Sequence, residues 1–272
     1  MFTLSNAHFG EKLLDSLHNS NLSLLILLCR SRLPYVRTAP VRWILPCSAT
    51  SRMTTIQDNI ARLEQTIRGR ARLIAVTKTK PVPMLQEAYD AGCRDFGENR
   101  VQEMVEKYPQ LPADIRWHQI GHLQSNKVKY IAPFVALIHS VDSPALLKEI
   151  NKQAAKNNRV IDCLLQIFIA QEDTKFGLDP AEARALLQSP DLDALTHVRL
   201  VGLMGLATNT DDEEQVRQEF RSLKKLYDEL ASIQRPNVAF SELSMGMSGD
   251  YELAIAEGST MVRVGSAIFG SR

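Results

Sequence analysis

The sequence predicts an α/β fold, and within that class a single (β/α)₈ barrel of the TIM type. From Arg72 onward, short β-type segments alternate with helical ones, which is typical of a parallel sheet covered by helices. Eight such units in about 200 residues suit one closed barrel at the small end of its size range. An open doubly wound sheet is the alternative, and it would carry a Gly-rich phosphate loop after its first strand. Lys78 occupies that place instead, which favours the barrel.

Each predicted strand is a short run rich in β-branched and other apolar residues, bounded by turn-forming residues. The eight runs are residues 71–78, 93–98, 115–121, 135–142, 159–170, 198–208, 238–246 and 260–269. Helical patterns separate them, and the longest repeats its apolar residues at Val216, Phe220, Leu223, Leu226 and Leu230. Strands and helices therefore alternate as a barrel requires.

An extra helix is predicted before the first strand. Residues 53–70 form an amphipathic pattern whose apolar face consists of Ile56, Ile60, Leu63 and Ile67. The sequence ends soon after the eighth strand and leaves no length for an eighth outer helix. We therefore expect the helix of residues 53–70 to stand in for the eighth helix, and the barrel domain to comprise residues 53–272.

Residues 1–52 have a different composition and form a leader that we expect to be disordered. Their charged residues are six basic and two acidic. Such an acid-poor segment with arginines and serines suits an organelle transit peptide. Because folded-looking sequence begins at Met53, the leader can also be upstream sequence read as protein, and both interpretations stay open. Its apolar run, Leu22 to Cys29, is far shorter than the roughly 20 residues of a spanning helix.

The overall composition excludes several classes of partner. A formal net charge of +1 gives no general attraction to nucleic acid or to an anionic membrane. The four cysteines are far apart and form no C-x-x-C pair, as expected for reduced thiols of an intracellular protein. We expect a cytoplasmic monomer, with organelle import as the alternative if residues 1–52 are a genuine transit peptide.

A lysine at the end of the first strand is the first candidate for chemistry. In the stretch LIAVTKTKP, Lys78 follows a buried-type run directly, and the active face of such barrels lies at the carboxyl ends of the strands. A lysine desolvated there has a lowered pKa and can form a Schiff base with a carbonyl. Most lysines at strand ends are merely solvated, so the interpretation depends on neighbouring features.

Two turns of small residues supply those features. Gly246, Ser248 and Gly249 precede a helix that starts near Asp250, and their backbone N–H groups can receive an anion. A second turn, Gly265 and Ser266, ends the eighth strand. Barrels frequently bind phosphate with the loops after strands 7 and 8. Together with Lys78, the turns indicate a ligand that is a phosphorylated carbonyl compound.

Several ordered motifs resemble those of the pyridoxal phosphate homeostasis protein family: AVTKTKP, DFGENRVQE, WHQIGHLQSNK, GLMGLAT and LSMGMSGDYELAIAEGSTMVRVGSAIFG. The resemblance covers residues 55–272. It implies a single-domain barrel, similar to the barrel domain of bacterial alanine racemases, with pyridoxal 5′-phosphate as cofactor.

The resemblance also implies which residues bind the cofactor. Lys78 matches the lysine that forms the Schiff base, and Met247 and Ser248 match the residues that hold the phosphate. The other matches are Asn99 on the cofactor face, His118 beside the ring, and the motif residues Arg263, Gly265 and Ser266.

Other candidates are assigned no role in binding. His118 and His122 fall on a strand and a turn and not on one helical face, so we predict no metal site. Lys80 precedes Pro81 in a turn and should face solvent. The segment around Lys175 resembles a family loop at the barrel mouth, but its residues alone indicate an exposed turn.

Three functions remain open from the sequence. The resemblance implies a protein that takes part in intracellular vitamin B6 and amino-acid homeostasis, as a carrier that donates pyridoxal phosphate to apo-enzymes. The alternative is a racemase-like enzyme, although the second domain that racemases use, with its tyrosine base, is not expected after the eighth strand. A Schiff-base aldolase acting on a sugar phosphate also fits a barrel with a lysine and a phosphate site.

Overall fold

The computed structural model describes residues 55–170 and 176–270. The leader predicted for residues 1–52 and the side chain of Lys175 lie outside these ranges. Within them, eight parallel strands close into one barrel in sequence order, so the predicted fold class is confirmed. The strands are Arg72–Val76 (β1), Asp95–Glu98 (β2), Arg116–Gln119 (β3), Leu137–Val141 (β4), Ile161–Ile167 (β5), Val198–Gly205 (β6), Val238–Ser244 (β7) and Met261–Val264 (β8).

Helices surround the barrel and connect its strands. They are Thr55–Ile67 (α1), Val82–Asp90 (α2), Val101–Lys107 (α3), Val128–Ile131 (α4), Pro144–Lys156 (α5), Pro180–Gln188 (α6), Glu213–Leu230 (α7), Tyr251–Ala256 (α8) and Ser266–Phe269 (α9). Several of these helices have a side chain at their amino-terminal end that accepts hydrogen bonds from backbone N–H groups of the first turn. Asp179, for example, forms a capping box with Glu182 at the start of α6, which satisfies backbone N–H groups there. None of the helices in the described ranges is long and apolar enough to cross a membrane.

The eighth strand is shorter than the predicted run of residues 260–269. It ends at Val264, and Ser266–Phe269 form the single helical turn α9. The pairing with the neighbouring strand β1 ends at Val264, which lies opposite Ala75, and the backbone beyond Val264 leaves the ladder. It bonds locally instead, with the N–H groups of Ile268 and Phe269 donating to the carbonyl of Gly265.

Helix α1 covers the junction where the barrel closes. Its apolar face is buried, and it packs against α2, α8 and α9. The side-chain amide of Asn59 donates to the carbonyl of Ile268 in α9 at 2.9 Å. The helix ahead of the first strand therefore occupies the outer layer beside the last strand.

The barrel interior is partly apolar and partly polar. The apolar part contains Ile74, Leu137, Leu164, Val201, Met204 and Met261. Neighbouring strands pair Ile74 with Arg263 and Leu137 with His118, and paired residues point to the same side of a sheet. Arg263 and His118 therefore share the interior with these apolar side chains.

We predict that Gly202→Ala destabilises the barrel strongly. Gly202 has a φ of 153°, and a Cβ atom there would lie 1.7 Å from the carbonyl oxygen of Glu242 on the adjacent strand. Backbone strain and overpacking each cost about 1–3 kcal/mol, so the free energy of unfolding should fall by about 3 kcal/mol or more. Urea unfolding measures the change. Gly249→Ala is the control, because its Cβ meets nothing within 4 Å; equal stability of the two variants would contradict the prediction.

Candidate cofactor site

A cavity of about 570 Å³ opens at the carboxyl end of the barrel strands. Residues at or just after the ends of β1, β2, β3, β5, β6, β7 and β8 line it. Of the residues predicted to bind a cofactor, those that line it are Lys78, Asn99, Met247, Ser248, Arg263, Gly265 and Ser266. His118 is the predicted site residue that the cavity does not include.

Lys78 lies in a tight turn whose neighbouring residues are hydrogen-bonded to acidic side chains. The buried hydroxyl of Thr77 donates to Oε1 of Glu98 at 2.6 Å. Thr79 adopts the left-handed region with a φ of 63°, and its N–H donates to Oε2 of Glu103 at 2.7 Å. Because the residues on both sides of Lys78 are bonded to acidic side chains, the direction in which the lysine leaves the strand is fixed.

Lys107 of α3 ties this turn to the helix layer. Its buried ammonium donates to the carbonyl of Thr77 at 2.9 Å, to Glu98 at 2.7 Å and to Glu103 at 3.3 Å. Burial raises the pKa of Glu98, and the bonds from Lys107 and Thr77 oppose that rise. The pair is thus a buried charge pair, whose partners depend on each other.

Arg263 provides a fixed positive group at the base of the cavity. It is almost completely buried, its Nη1 donates to Oγ of Ser244, and its Nη2 donates to the carbonyl of Gly205 at 3.0 Å. Burial lowers the pKa of Arg263 to about 10. The guanidinium therefore stays charged near neutral pH, and it can only donate hydrogen bonds.

Small residues after β7 and β8 face each other across one side of the cavity. Oγ of Ser248 accepts hydrogen bonds from the N–H groups of Gly265 at 3.1 Å and Ala267 at 3.4 Å. A Cβ atom on Gly265 would lie 3.3 Å from the backbone oxygen of Val76, so a larger residue would crowd β1. The hydroxyl and the two amides form a group of donors suited to an anion.

Asn99 reaches the cavity because the chain after β3 passes close beneath it. Nε2 of Gln119 donates to the carbonyls of Asn99 and Gly121, both at 3.0 Å. A Cβ atom on Gly121 would lie 2.7 Å from the carbonyl oxygen of Asn99. Only glycine permits this approach without a shift of the backbone.

The expectation for His118 is corrected by the structure. Its imidazole is buried deeper in the barrel, where Nδ1 meets Nε2 of His139 at 2.9 Å and Nε2 meets Oδ1 of Asp95 at 3.0 Å. His118 lies opposite Gly97 in the sheet, and its side chain contacts Asp95 at the start of β2 and does not line the cavity. Burial lowers the pKa of His118. The described residues include no group of His, Cys, Asp or Glu able to hold a metal ion.

Lys80 also differs from its prediction. It lines the cavity, and its ammonium donates to the carbonyls of Phe269 at 3.2 Å and Gly270 at 3.1 Å. The sequence gives no signal for this contact, because it depends on where α9 ends in space.

The cavity mouth contains three residues that were not singled out as binding candidates. The exposed ring of Phe176 stacks on His122 with ring centroids 4.3 Å apart, and Nε2 of Gln166 donates to the carbonyl of Phe176 at 2.6 Å. Exposed apolar side chains indicate a binding surface when they form a patch, whereas a single exposed ring does not. Phe176, as one aromatic residue in a turn, could therefore not be identified as a cavity residue from the sequence.

Comparison with known proteins places these features in context. The alanine racemase, N-terminal domain, family matches residues 52–272. A pyridoxal phosphate homeostasis protein of Aquifex aeolicus is 42% identical over 229 residues, covering 83% of this chain and 99% of that protein. PipY of Synechococcus elongatus, solved with PLP bound, has a TM-score of 0.72 at 39% identity, covering 79% of this chain and 100% of that one. Alanine racemase of Bartonella henselae, at 17% identity and a TM-score of 0.61, shares the fold, over 80% of this chain and 58% of the racemase.

We predict that Lys107→Met destabilises the protein by about 3–5 kcal/mol, because Glu98 would be left buried without its charge partner. The double variant Lys107→Met/Glu98→Gln removes both charges and should recover more than half of the loss. Urea unfolding measures both changes.

The matched control is Lys224→Met, which breaks the exposed pair with Asp228. Exposed pairs contribute about 0–1 kcal/mol, so this variant should be nearly neutral. A Lys107 variant as stable as the Lys224 variant would contradict the structural role given to the buried pair.

Proposed function

This chain belongs to the pyridoxal phosphate homeostasis protein family, and from that premise we propose that it binds pyridoxal 5′-phosphate as a Schiff base on Lys78 and delivers it to apo-enzymes. The observation that carries the proposal is the convergence of three kinds of group in one cavity. They are the amine of Lys78, the donors around Ser248, and the buried guanidinium of Arg263.

The residues present fit the cofactor by their chemistry. A primary amine condenses with the aldehyde to form an imine and release water. The hydroxyl of Ser248 and the amides of Gly265 and Ala267 can donate hydrogen bonds to the phosphate. In this structure the two amides donate to Oγ of Ser248, which lies where a phosphate oxygen would be accepted. Arg263, which only donates, suits the ring nitrogen as an acceptor. Asn99, Met247 and Ser266 complete the contact surface.

A carrier is favoured over a racemase-like enzyme because few of the described residues that line the cavity can act as an acid or a base. When bound, pyridoxal phosphate supplies an electron-accepting ring that works best with a protonated ring nitrogen paired to a carboxylate. Arg263 stays protonated, so it can donate a hydrogen bond to the unprotonated ring nitrogen but cannot accept one from the protonated form. The described residues that line the cavity include no Tyr, Asp or Glu, and His122 at the mouth is already bonded to Asp142.

The state of the buried cysteines supports a cytoplasmic location. Cys93 and Cys163 are buried and not paired in a disulfide, and burial raises the pKa of Cys93 to about 12. Unreactive reduced thiols suit the cytoplasm. We propose a cytoplasmic monomer that participates in vitamin B6 homeostasis, with a small-molecule cofactor and apo-enzymes as its partners.

We predict that borohydride reduction of the purified protein attaches the cofactor to Lys78. The protein should be yellow before reduction and lose that colour as the imine becomes a stable amine. Peptide mapping by mass spectrometry identifies the labelled residue. Lys78→Ala should prevent labelling, whereas Lys224→Ala, a change on the outer helix α7, should not. Label recovered on Lys80 or Lys175 would contradict the assignment.

We also predict transfer without turnover. Protein loaded with pyridoxal phosphate should reactivate an apo-form pyridoxal phosphate enzyme, because the imine is reversible. A panel of L- and D-amino acids should not be converted at an enzymatic rate, on the order of 1 s⁻¹ or faster. The control is Lys78→Ala mixed with the same amount of cofactor. Conversion of any amino acid at such a rate would make the protein an enzyme and refute the carrier function.

A further inference from the structure

A continuous line of buried polar side chains runs through the barrel from Arg263 towards the amino-terminal ends of the strands. Arg263 donates to Oγ of Ser244, and Ser244 lies 3.0 Å from Nδ1 of His139. Nε2 of His139 lies 2.9 Å from Nδ1 of His118, whose Nε2 lies 3.0 Å from Oδ1 of Asp95. All five residues are at most 4% exposed.

These groups are costly to bury in an interior that also contains Ile74, Leu137 and Met261. A polar group without a hydrogen-bond partner in such surroundings destabilises the folded state. Here each ring nitrogen of both histidines has a partner, so the line is a fully connected network. Its far end is anchored by Arg116, which forms an ion pair with Asp95.

The network has a single consistent direction. Burial opposes ionisation of Asp95, yet hydrogen bonds from Arg116 and His118 hold the pKa of that carboxyl well below its usual range. An ionised carboxylate only accepts, so Nε2 of His118 must carry a hydrogen. A neutral His118 then has an acceptor at Nδ1, which receives the Nε2–H of His139.

The same logic continues to Arg263. With its hydrogen on Nε2, His139 is an acceptor at Nδ1 and receives the hydroxyl hydrogen of Ser244. The lone pairs of Ser244 are then directed to the guanidinium of Arg263. In the reverse direction, with both histidines neutral, the bare Nε2 of His118 would face the carboxylate of Asp95, which is repulsive.

We propose that His118, His139 and Ser244 are positioning residues that transmit the fixed orientation of Asp95 to Arg263 and so set the guanidinium that faces the cofactor cavity. The proposal rests on the function proposed above. Ser244 and the carbonyl of Gly205 engage the two terminal nitrogens of Arg263, so the group cannot rotate without breaking a buried bond. His118 therefore acts on the site from a distance and does not touch the cofactor.

The first test needs no cofactor. Full-length protein labelled with ¹⁵N-histidine is studied by long-range proton–nitrogen NMR, and single His→Asn variants assign the signals. We expect His118 and His139 both to be neutral with the hydrogen on Nε2. A hydrogen on Nδ1 of His139 would reverse the direction of the network and overturn the proposal.

The second test is a double-mutant cycle on affinity for pyridoxal 5′-phosphate. His139→Leu should weaken binding about tenfold and shift the absorbance maximum of the bound cofactor, because residues in one hydrogen-bond network are coupled by about that factor. In an Arg263→Gln background, the same change should have almost no effect. His139→Asn keeps an acceptor near the place of Nδ1 and should restore most of the affinity.

Controls separate positioning from general loss of structure. Asn237→Ala removes a buried amide outside the network, which donates to the carbonyls of Leu192 and Leu195, and should lower stability without changing affinity.

If His139→Leu is insoluble, Ser244→Ala completes the cycle. Equal effects of His139→Leu in both backgrounds would overturn the proposal while leaving cofactor binding intact. Failure of the wild-type protein to bind pyridoxal phosphate would refute the proposed function, and the NMR result would still decide the direction of the network.

Discussion

Backbone hydrogen bonds between β1 and β8 join residues that are far apart in the chain, with Ile74 opposite Arg263 and Ala75 opposite Val264. This closure brings the lysine at the end of β1 next to the turn that follows β8. It also crowds the backbone of Val76 against Gly265, where a side chain would not fit easily. Without the closure, the amine and the anion donors would lie on separate edges of an open sheet, and no cavity would contain both.

Two buried charges define the site above this junction. The ammonium of Lys107 supports the turn of Lys78 from the helix layer, together with Glu98. The guanidinium of Arg263 is fixed from inside the barrel by Ser244. Charges out of water must be compensated by well-placed partners, so each of them limits the positions its neighbours can take. Rigidity of the site is thus a consequence of satisfying these charges, which suits a site that holds a ligand in one orientation.

The polar interior distinguishes this barrel from one filled only with branched apolar residues. His118 and His139 fill volume as apolar side chains would, but they also have a direction, because every hydrogen bond in their line has a donor and an acceptor. Such a line couples Asp95 at the amino-terminal end to Arg263 at the cofactor cavity. The amino-terminal end of the barrel and the cofactor cavity at its carboxyl end are therefore connected by hydrogen bonds through the interior.

The sequence by itself determined the number and order of the strands, the position of Lys78 at a strand end, and the small residues around Ser248, because periodicity and turn chemistry are local properties of the chain. The tertiary structure alone decided how far β8 extends, that His118 points towards Asp95, and that Lys80 is tied to the end of α9. Those outcomes depend on which groups meet across the closed barrel. A strand pattern gives the alternation of its side chains, but the partner that a buried polar atom will find is fixed only when strands distant in sequence are packed together.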